Sequence, residues 1–198
     1  LGTKAGVGYQ SLVDISSSTI LLSGDGNDLQ IGVAISNATE IGPLFTLRLT
    51  DSTLTTPEGG DVRIAPGWRA NSNGELIAIN STLAIGDDLE IGQRDSDYFA
   101  SEYGNEGSVS LISSTVTIGD RLVVGRDGST GSLSLDAASV TVADDITIGQ
   151  NTSVNDDDNS ASYTSSLTST GSLTVGNGSS LNGDMLNIGL TKGSDGSA

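Results

Sequence analysis

Aspartates recur along this chain in the turns between short apolar runs, and their carboxylates are its most prominent reactive groups. They are Asp28, Asp61, Asp87, Asp88, Asp120, Asp144, Asp145 and Asp184. If these turns stack, calcium would relieve the repulsion between neighbouring carboxylates, because it prefers several oxygen ligands. Aspartate also accepts hydrogen bonds from nearby backbone amides in turns, without any metal. We therefore predict a column of turn aspartates, with calcium as the one candidate cofactor. Its candidate ligands are Asp87, Asp88, Asp120, Asp144 and Asp145.

The remaining composition excludes most catalytic chemistry. The 198 residues include no Cys and no His, which rules out thiol catalysis, Cys/His zinc sites and His-based triads. The six Arg and two Lys are dispersed, and no recurrent basic column accompanies an acidic cluster. We predict that the protein is not an enzyme and has no catalytic residues. A polysaccharide-active β-helix enzyme is the less favoured alternative.

The formal net charge of −17 limits the partners. Nucleic acids are bound mainly through Lys and Arg contacts to phosphate, so we expect no nucleic-acid partner. No apolar run approaches membrane-spanning length, and we expect no membrane insertion.

The apolar residues alternate with polar ones in short runs, and these runs repeat. The clearest unit, residues 114–137, contains a first run STVTI, a second run RLVVG and a third run SLSLDA, separated by turn residues. Other copies start near residues 18, 52, 81, 138 and 179. Alternation of this kind is typical of half-buried strands. Each repeat is therefore predicted to form three strands.

Aligning the copies places the apolar residues in columns. The first run contributes Ile20, Leu54, Leu83, Val116, Val140 and Leu181. The second run contributes Leu29 and Ile31, Val62 and Ile64, Leu89 and Ile91, Leu122 and Val124, Ile146 and Ile148, and Leu186 and Ile188. The third run contributes Val13 and Ile15, Leu47 and Leu49, Ile77 and Ile79, Val109 and Leu111, Leu133 and Leu135, and Leu173 and Val175.

Such columns indicate an all-β fold, a parallel β-helix or β-solenoid. Stacking the repeats at roughly 4.8 Å turns each column into a continuous aliphatic ladder. We predict about six coils of three short strands, right-handed by the usual crossover preference, in one domain spanning residues 1–198. A β-sandwich or propeller is the alternative, but antiparallel pairing would not explain why three runs keep the same order.

Insertions of variable length follow the second run, and we expect them all at one corner of the solenoid. They occupy roughly residues 3–10, 33–45, 66–74, 93–106 and 150–170. All seven aromatic residues fall within them: Tyr9, Phe45, Trp68, Tyr98, Phe99, Tyr103 and Tyr163. Such rings either pack the insertions against the aliphatic face or form a contact surface for glycan or a neighbouring subunit.

The repeat [ST]-x-[VL]-x-[IV]-G-D-x-[LI]-x-[IV]-G followed by G-S-L-x-[LV] resembles a known family. It is similar to the passenger-associated and autotransporter-associated β-strand repeats of exported bacterial proteins, including those of the PEP-CTERM type. The resemblance is best over residues 81–149 and weaker over 18–67 and 179–189. It implies export, an extracellular or cell-surface location, and a β-helical stalk or adhesin.

The terminal segments suggest self-association as the function. The chain opens with the last strand of one coil and closes without the last strand of another, so it is expected to be part of a longer solenoid or a subunit that stacks head to tail. Val13, Ile15, Leu186 and Ile188 are the predicted stacking residues, together with the aromatic residues other than Phe45. We therefore predict a structural or adhesive extracellular protein. A glycan-binding adhesin stalk and, from the outward Thr array of the first run, an ice-binding protein are the alternatives.

Overall fold

Three parallel sheets wrap a single aliphatic core in the computed structural model, which describes residues 10–33, 44–67, 72–94, 105–152, 169–189 and 191–192. Sheet A contains β1 (Ser11–Ser16), β4 (Leu44–Thr50), β7 (Asn73–Ile79), β10 (Glu106–Ile112), β13 (Thr130–Asp136) and β16 (Thr170–Val175). Sheet B contains β2 (Thr19–Leu21), β5 (Thr53–Thr55), β8 (Thr82–Ile85), β11 (Thr115–Ile118), β14 (Ser139–Val142) and β17 (Ser180–Asn182). Sheet C contains β3 (Leu29–Ile31), β6 (Val62–Gly67), β9 (Leu89–Arg94), β12 (Leu122–Arg126), β15 (Ile146–Thr152) and β18 (Leu186–Ile188), and the short β19 (Thr191–Lys192) pairs with β15.

Successive strands of each sheet come from successive repeats, so the described residues form a three-sided parallel β-helix of six coils. Each coil runs through sheets A, B and C in turn and then starts the next coil beside the last. This confirms the predicted fold class. The right-handed coil stays a prediction from the crossover preference. Among the described residues, no helix is long and apolar enough to cross a membrane.

The aliphatic core follows the columns predicted for the first and second runs. In sheet B, Leu54, Leu83 and Val116 lie in one register column and are fully buried. In sheet C, Ile64 and Ile91 share another column and are also fully buried. Burying such side chains contributes about 1.5–3 kcal/mol each. Because no coil can bury its own column, the stack of coils is the unit of stability.

The predicted register of the third run is wrong in one coil. The sequence favoured Ile77 and Ile79 as core residues, but β7 pairs with its neighbours through Leu76 and Ala78, which are fully buried. Ile77 and Ile79 lie on the outward face and are half-buried. A one-residue shift reverses the face of every side chain in a strand. The run GELIAI supports both registers by pattern alone, and the neighbouring strands decide between them.

A serine column closes the corner between sheets A and B. The backbone amide of Ser52 donates to Ser81 Oγ at 3.1 Å, and that of Ser81 donates to Ser114 Oγ at 3.0 Å. The residue before each serine has a positive φ, as in Asn80 and Ser113. The side chain thus satisfies the amide that this sharp turn exposes, and it joins each coil to the next.

Paired glycines close the corner between sheets C and A, where the insertions lie. Gly125 has a φ of 73°, and a Cβ on it would lie 2.2 Å from the carbonyl oxygen of Thr170. A Cβ on Gly131, at the start of the following strand, would lie 2.3 Å from the Gly125 amide nitrogen. The corner therefore depends on close backbone contact rather than on the residues between the two glycines. The strands also extend a few residues into the predicted insertions, and Phe45 lies buried in β4 rather than in a loop.

Candidate functional site

The aspartates at the turn before sheet C form a hydrogen-bonded column. The amide of Asp61 donates to Asp28 Oδ1 at 3.1 Å, and the amide of Asp88 donates to Asp61 Oδ1 at 3.0 Å. Arg121 continues the column, because its amide donates to Asp88 Oδ1 at 2.8 Å. Each carboxylate thus accepts from the backbone of the next coil rather than from its own turn. The aspartate column therefore links each coil to the next through hydrogen bonds.

Arg63 lies at the centre of a charge network on the outward face of sheet C. Its guanidinium contacts Asp28 Oδ2 at 2.6 Å and Glu90 Oε2 at 2.9 Å, and it also pairs with Asp61. These partners belong to three consecutive coils, and two of them, Asp61 and Glu90, are buried. One cation therefore compensates carboxylates from three coils.

Burial and charge shift the pKa values of this network. Burial raises the pKa of the Asp61 and Glu90 carboxyls, and the attraction of Arg63 opposes the shift without cancelling it. Burial tends to lower the pKa of Arg63, but the charges of Asp61, Glu90 and Asp28 outweigh it and raise the pKa. The arginine therefore stays charged, while the two buried acids bind protons more readily than free carboxyls do.

A second arginine compensates the acids one coil further on. Arg121 donates from its guanidinium to Asp88 Oδ2 at 2.8 Å and lies 3.4 Å from Asp120 Oδ2. Arg126 similarly contacts Asp127 at 3.2 Å. These arginines contact acids although they form no recurrent basic column: the column through Arg63 continues with Glu90 and Val123. Arg63, Glu90 and Arg121 were not singled out from the sequence. Aligning the second runs could have predicted the contact between Arg63 and Glu90, because the alignment places Gln30, Arg63 and Glu90 in one outward-facing column.

Three of the five predicted calcium ligands lie close together. Asp87, Asp88 and Asp120 each offer a carboxylate oxygen, and these oxygens lie within 4.8 Å of one another. The pKa of Asp87 is raised by burial and by repulsion from Asp88 and other acids. Asp144 and Asp145 are not part of this group. Because Arg121 already pairs with two of the three acids, calcium binding there stays a prediction.

The outermost described coils expose the predicted stacking residues. Leu186 is 52% exposed and Ile188 is 73% exposed, although both belong to inward-facing columns that are buried in the preceding coils. Val13 and Ile15, in the first coil, are half-buried against the core. The exposure arises because each of these residues has a neighbouring coil on one side only among the described residues.

The predicted aromatic contact surface lies outside the described residues. Tyr9, Trp68, Tyr98, Phe99, Tyr103 and Tyr163 belong to it, so their role stays a prediction. Of the seven aromatic residues, Phe45 alone belongs to the part that the structure describes, and it contributes to the core.

Three comparisons with known proteins found no match. No family model, no curated protein and no solved structure matches it. The class established by the fold is a three-sided parallel β-solenoid. The resemblance to exported bacterial β-strand repeats stays a prediction from the sequence motif.

Proposed function

We propose that the protein is an extracellular structural subunit that stacks head to tail into a fibre. The proposal rests on one observation. Aliphatic residues that belong to the inward-facing columns are exposed on the last coil, and they share a register with aliphatic residues of the first coil. Extending the common register by one coil places Leu186 over Leu29 and Ile188 over Ile31. It likewise places Val175 over Ile15 in sheet A.

The partner best suited to this surface is a second copy of the chain. Aliphatic side chains would meet aliphatic side chains in each sheet, so every column would continue through the joint. The open strand edges of β1 and β16 would gain parallel partners, which removes unpaired backbone groups from solvent. Val175, 49% exposed, would be buried with Leu186 and Ile188, and this burial supplies a hydrophobic driving force. Such a contact joins two different surfaces, so it propagates without closing.

An extracellular location is part of the proposal and is supported by the resemblance of the repeats to those of exported proteins. A stalk or adhesin role fits the same architecture, because stacked coils form an extended surface along the axis of the solenoid.

Negative-stain electron microscopy of the purified chain tests the proposal. We expect filaments whose axial repeat is roughly 29 Å, the height of six coils at the strand spacing. Dispersed single particles at every protein and salt concentration would contradict it. A filament with a repeat of about twice that height would indicate stacking of two copies in opposite orientations, which the register match does not support.

A further inference from the structure

Most of the charged residues on the two surfaces that would meet at a stacking joint are aspartates. Among the described residues of the first coil, 10–33, the charged residues are Asp14, Asp25 and Asp28, with no Lys or Arg. In the last coil, residues 169–189 contain one charged residue, Asp184, and β19, which pairs with β15, adds Lys192. The described part of the joint therefore brings together four aspartates and one basic residue, and strand β18 separates that lysine from Asp184 along the chain.

The register brings Asp184 close to the acids of the first coil. Backbone hydrogen bonds place Asp87, Asp120, Asp144 and Asp184 in one column, with nitrogen–oxygen distances of 2.9–3.0 Å. One coil further, the position matched to Asp184 is Asn27, because Leu29, Val62 and Leu89 share a register. Asp184 would thus face the segment that contains Asp25 and Asp28.

Compensation inside the molecule is uneven among these acids. Asp28 is paired with Arg63, and Asp14 lies 3.6 Å from Arg48, both arginines being in the second coil. Asp25 and Asp184 are exposed and form no ion pair within the described residues. These two carry the uncompensated charge at the joint.

We infer that the stacking joint is an electrostatic gate, in which repulsion between Asp184 of one copy and Asp25 of the next opposes the hydrophobic contact and makes assembly depend on ionic strength. The inference rests on the proposed head-to-tail function and adds its regulation. Exposed charges of one sign that lie within a Debye length of each other repel measurably at low salt. The repulsion is largely screened when the Debye length falls from roughly 14 Å near 0.05 M salt to roughly 3 Å near 1 M.

Paired charge-neutralising variants test the gate. The full chain with Asp25→Asn and Asp184→Asn is compared with a control carrying Glu58→Gln and Glu106→Gln, two exposed acids in the second and fourth coils. Both variants change the net charge from −17 to −15, since each loses two acids. Sedimentation velocity at about 0.05, 0.15 and 1 M NaCl gives the critical concentration for assembly.

At the lowest salt, we expect the critical concentration of the Asp25/Asp184 variant to be at least about threefold below that of the control, and the difference to disappear near 1 M. Equal critical concentrations of the two variants, with stacks present, would overturn the gate and leave the stacking function intact. Absence of stacks from the unmodified chain and from both variants at every salt concentration would overturn the stacking function and the gate with it.

Discussion

The Arg63 guanidinium compensates more carboxylates than any other described cation, and its removal would leave buried acids without a partner. We expect Arg63→Met to lower the free energy of unfolding by about 2–3 kcal/mol, less than for a fully buried pair because the side chain is 32% exposed. Urea denaturation measures the change. The matched control is Arg48→Met, whose pair with Asp14 is 3.6 Å long, with side chains 40% and 51% exposed, and which should cost less than about 1 kcal/mol. Equal losses in the two variants would show that the three-coil network contributes no special stability.

The pH dependence of stability follows from the raised pKa values of Asp61 and Glu90. Their ordinary values are 3.8 and 4.5, and burial is the main cause of the upward shift. Between the ordinary and the raised pKa, the folded state binds more protons than the unfolded state, so stability is lost as the pH rises through this interval. We expect a higher urea midpoint at about pH 5 than at pH 7, and a smaller difference in Glu90→Gln. The control Glu106→Gln removes an exposed acid and should retain the full difference in midpoint. A urea midpoint that rises from pH 5 to pH 7 in the unmodified chain would contradict the raised pKa values of Asp61 and Glu90.

At the same scale, the sequence predicted where the acids recur but not how their charge is balanced. The spacing of Asp28, Asp61 and Asp88 follows the repeat and identifies the column. The balance depends on which outward residue of sheet C lies beside each carboxylate, and Arg63 reaches across coils to do so. A contact between coils depends on register, which composition does not reveal.

At the scale of the strands and corners, the glycine corner predicts that the insertions are dispensable for folding. In the fourth coil, residues 126–130 suffice to connect Gly125 to Gly131, whereas the third coil uses residues 93–106 between Gly92 and Gly107. Replacing residues 94–104 by Asp-Gly copies the shorter connection. We expect this variant to fold with a free energy of unfolding within about 1 kcal/mol of the original, because shortening a connection between strands changes the closure entropy only slightly. Circular dichroism and urea denaturation measure the outcome.

The control for this replacement moves the same eleven residues to the serine corner. Inserted between Ser113 and Ser114, they would separate the positive-φ residue from the hydroxyl that accepts the Ser81 amide. This variant should be clearly less stable than the one with the short connection. If the short connection instead prevents folding, residues 94–104 are required for the coil to form, and the prediction is wrong. The replacement also removes Tyr98, Phe99 and Tyr103, so retained stacking together with lost glycan binding would separate the two proposed roles.

The strand pattern was predictable where alternation was unambiguous, as in STVTI and SLSLDA, whose columns the structure confirms. It failed in β7, where Leu76, Ile77, Ala78 and Ile79 are consecutive apolar residues and both faces look buried. Pairing with β4 and β10 fixes the register there through Gly74, which must meet the corner backbone and has no space for a Cβ. The local pattern was therefore insufficient at β7, where the two faces of the strand are chemically alike.

At the scale of the whole molecule, head-to-tail stacking predicts that the two end surfaces can be disabled separately. Ile188→Asp places a charge on the last coil and Val13→Asp places one on the first, and each variant alone should fail to form filaments because a desolvated carboxylate would interrupt an aliphatic column. Thr117→Asp adds the same charge to an exposed position in the middle of the stack and should still assemble.

Mixing the two end variants gives the sharper result. The intact last coil of the Val13→Asp chain can bind the intact first coil of the Ile188→Asp chain, and neither free end of the product can extend it. Sedimentation velocity should therefore detect a species of about 40 kDa, twice the 20.0 kDa of one chain, and nothing longer. If the joint were instead symmetric, with identical surfaces meeting, one of the variants would still pair with itself and the mixture would contain no new species. The mixture thus distinguishes an open fibre from a closed dimer, because a heterologous contact joins the last coil of one chain to the first coil of another.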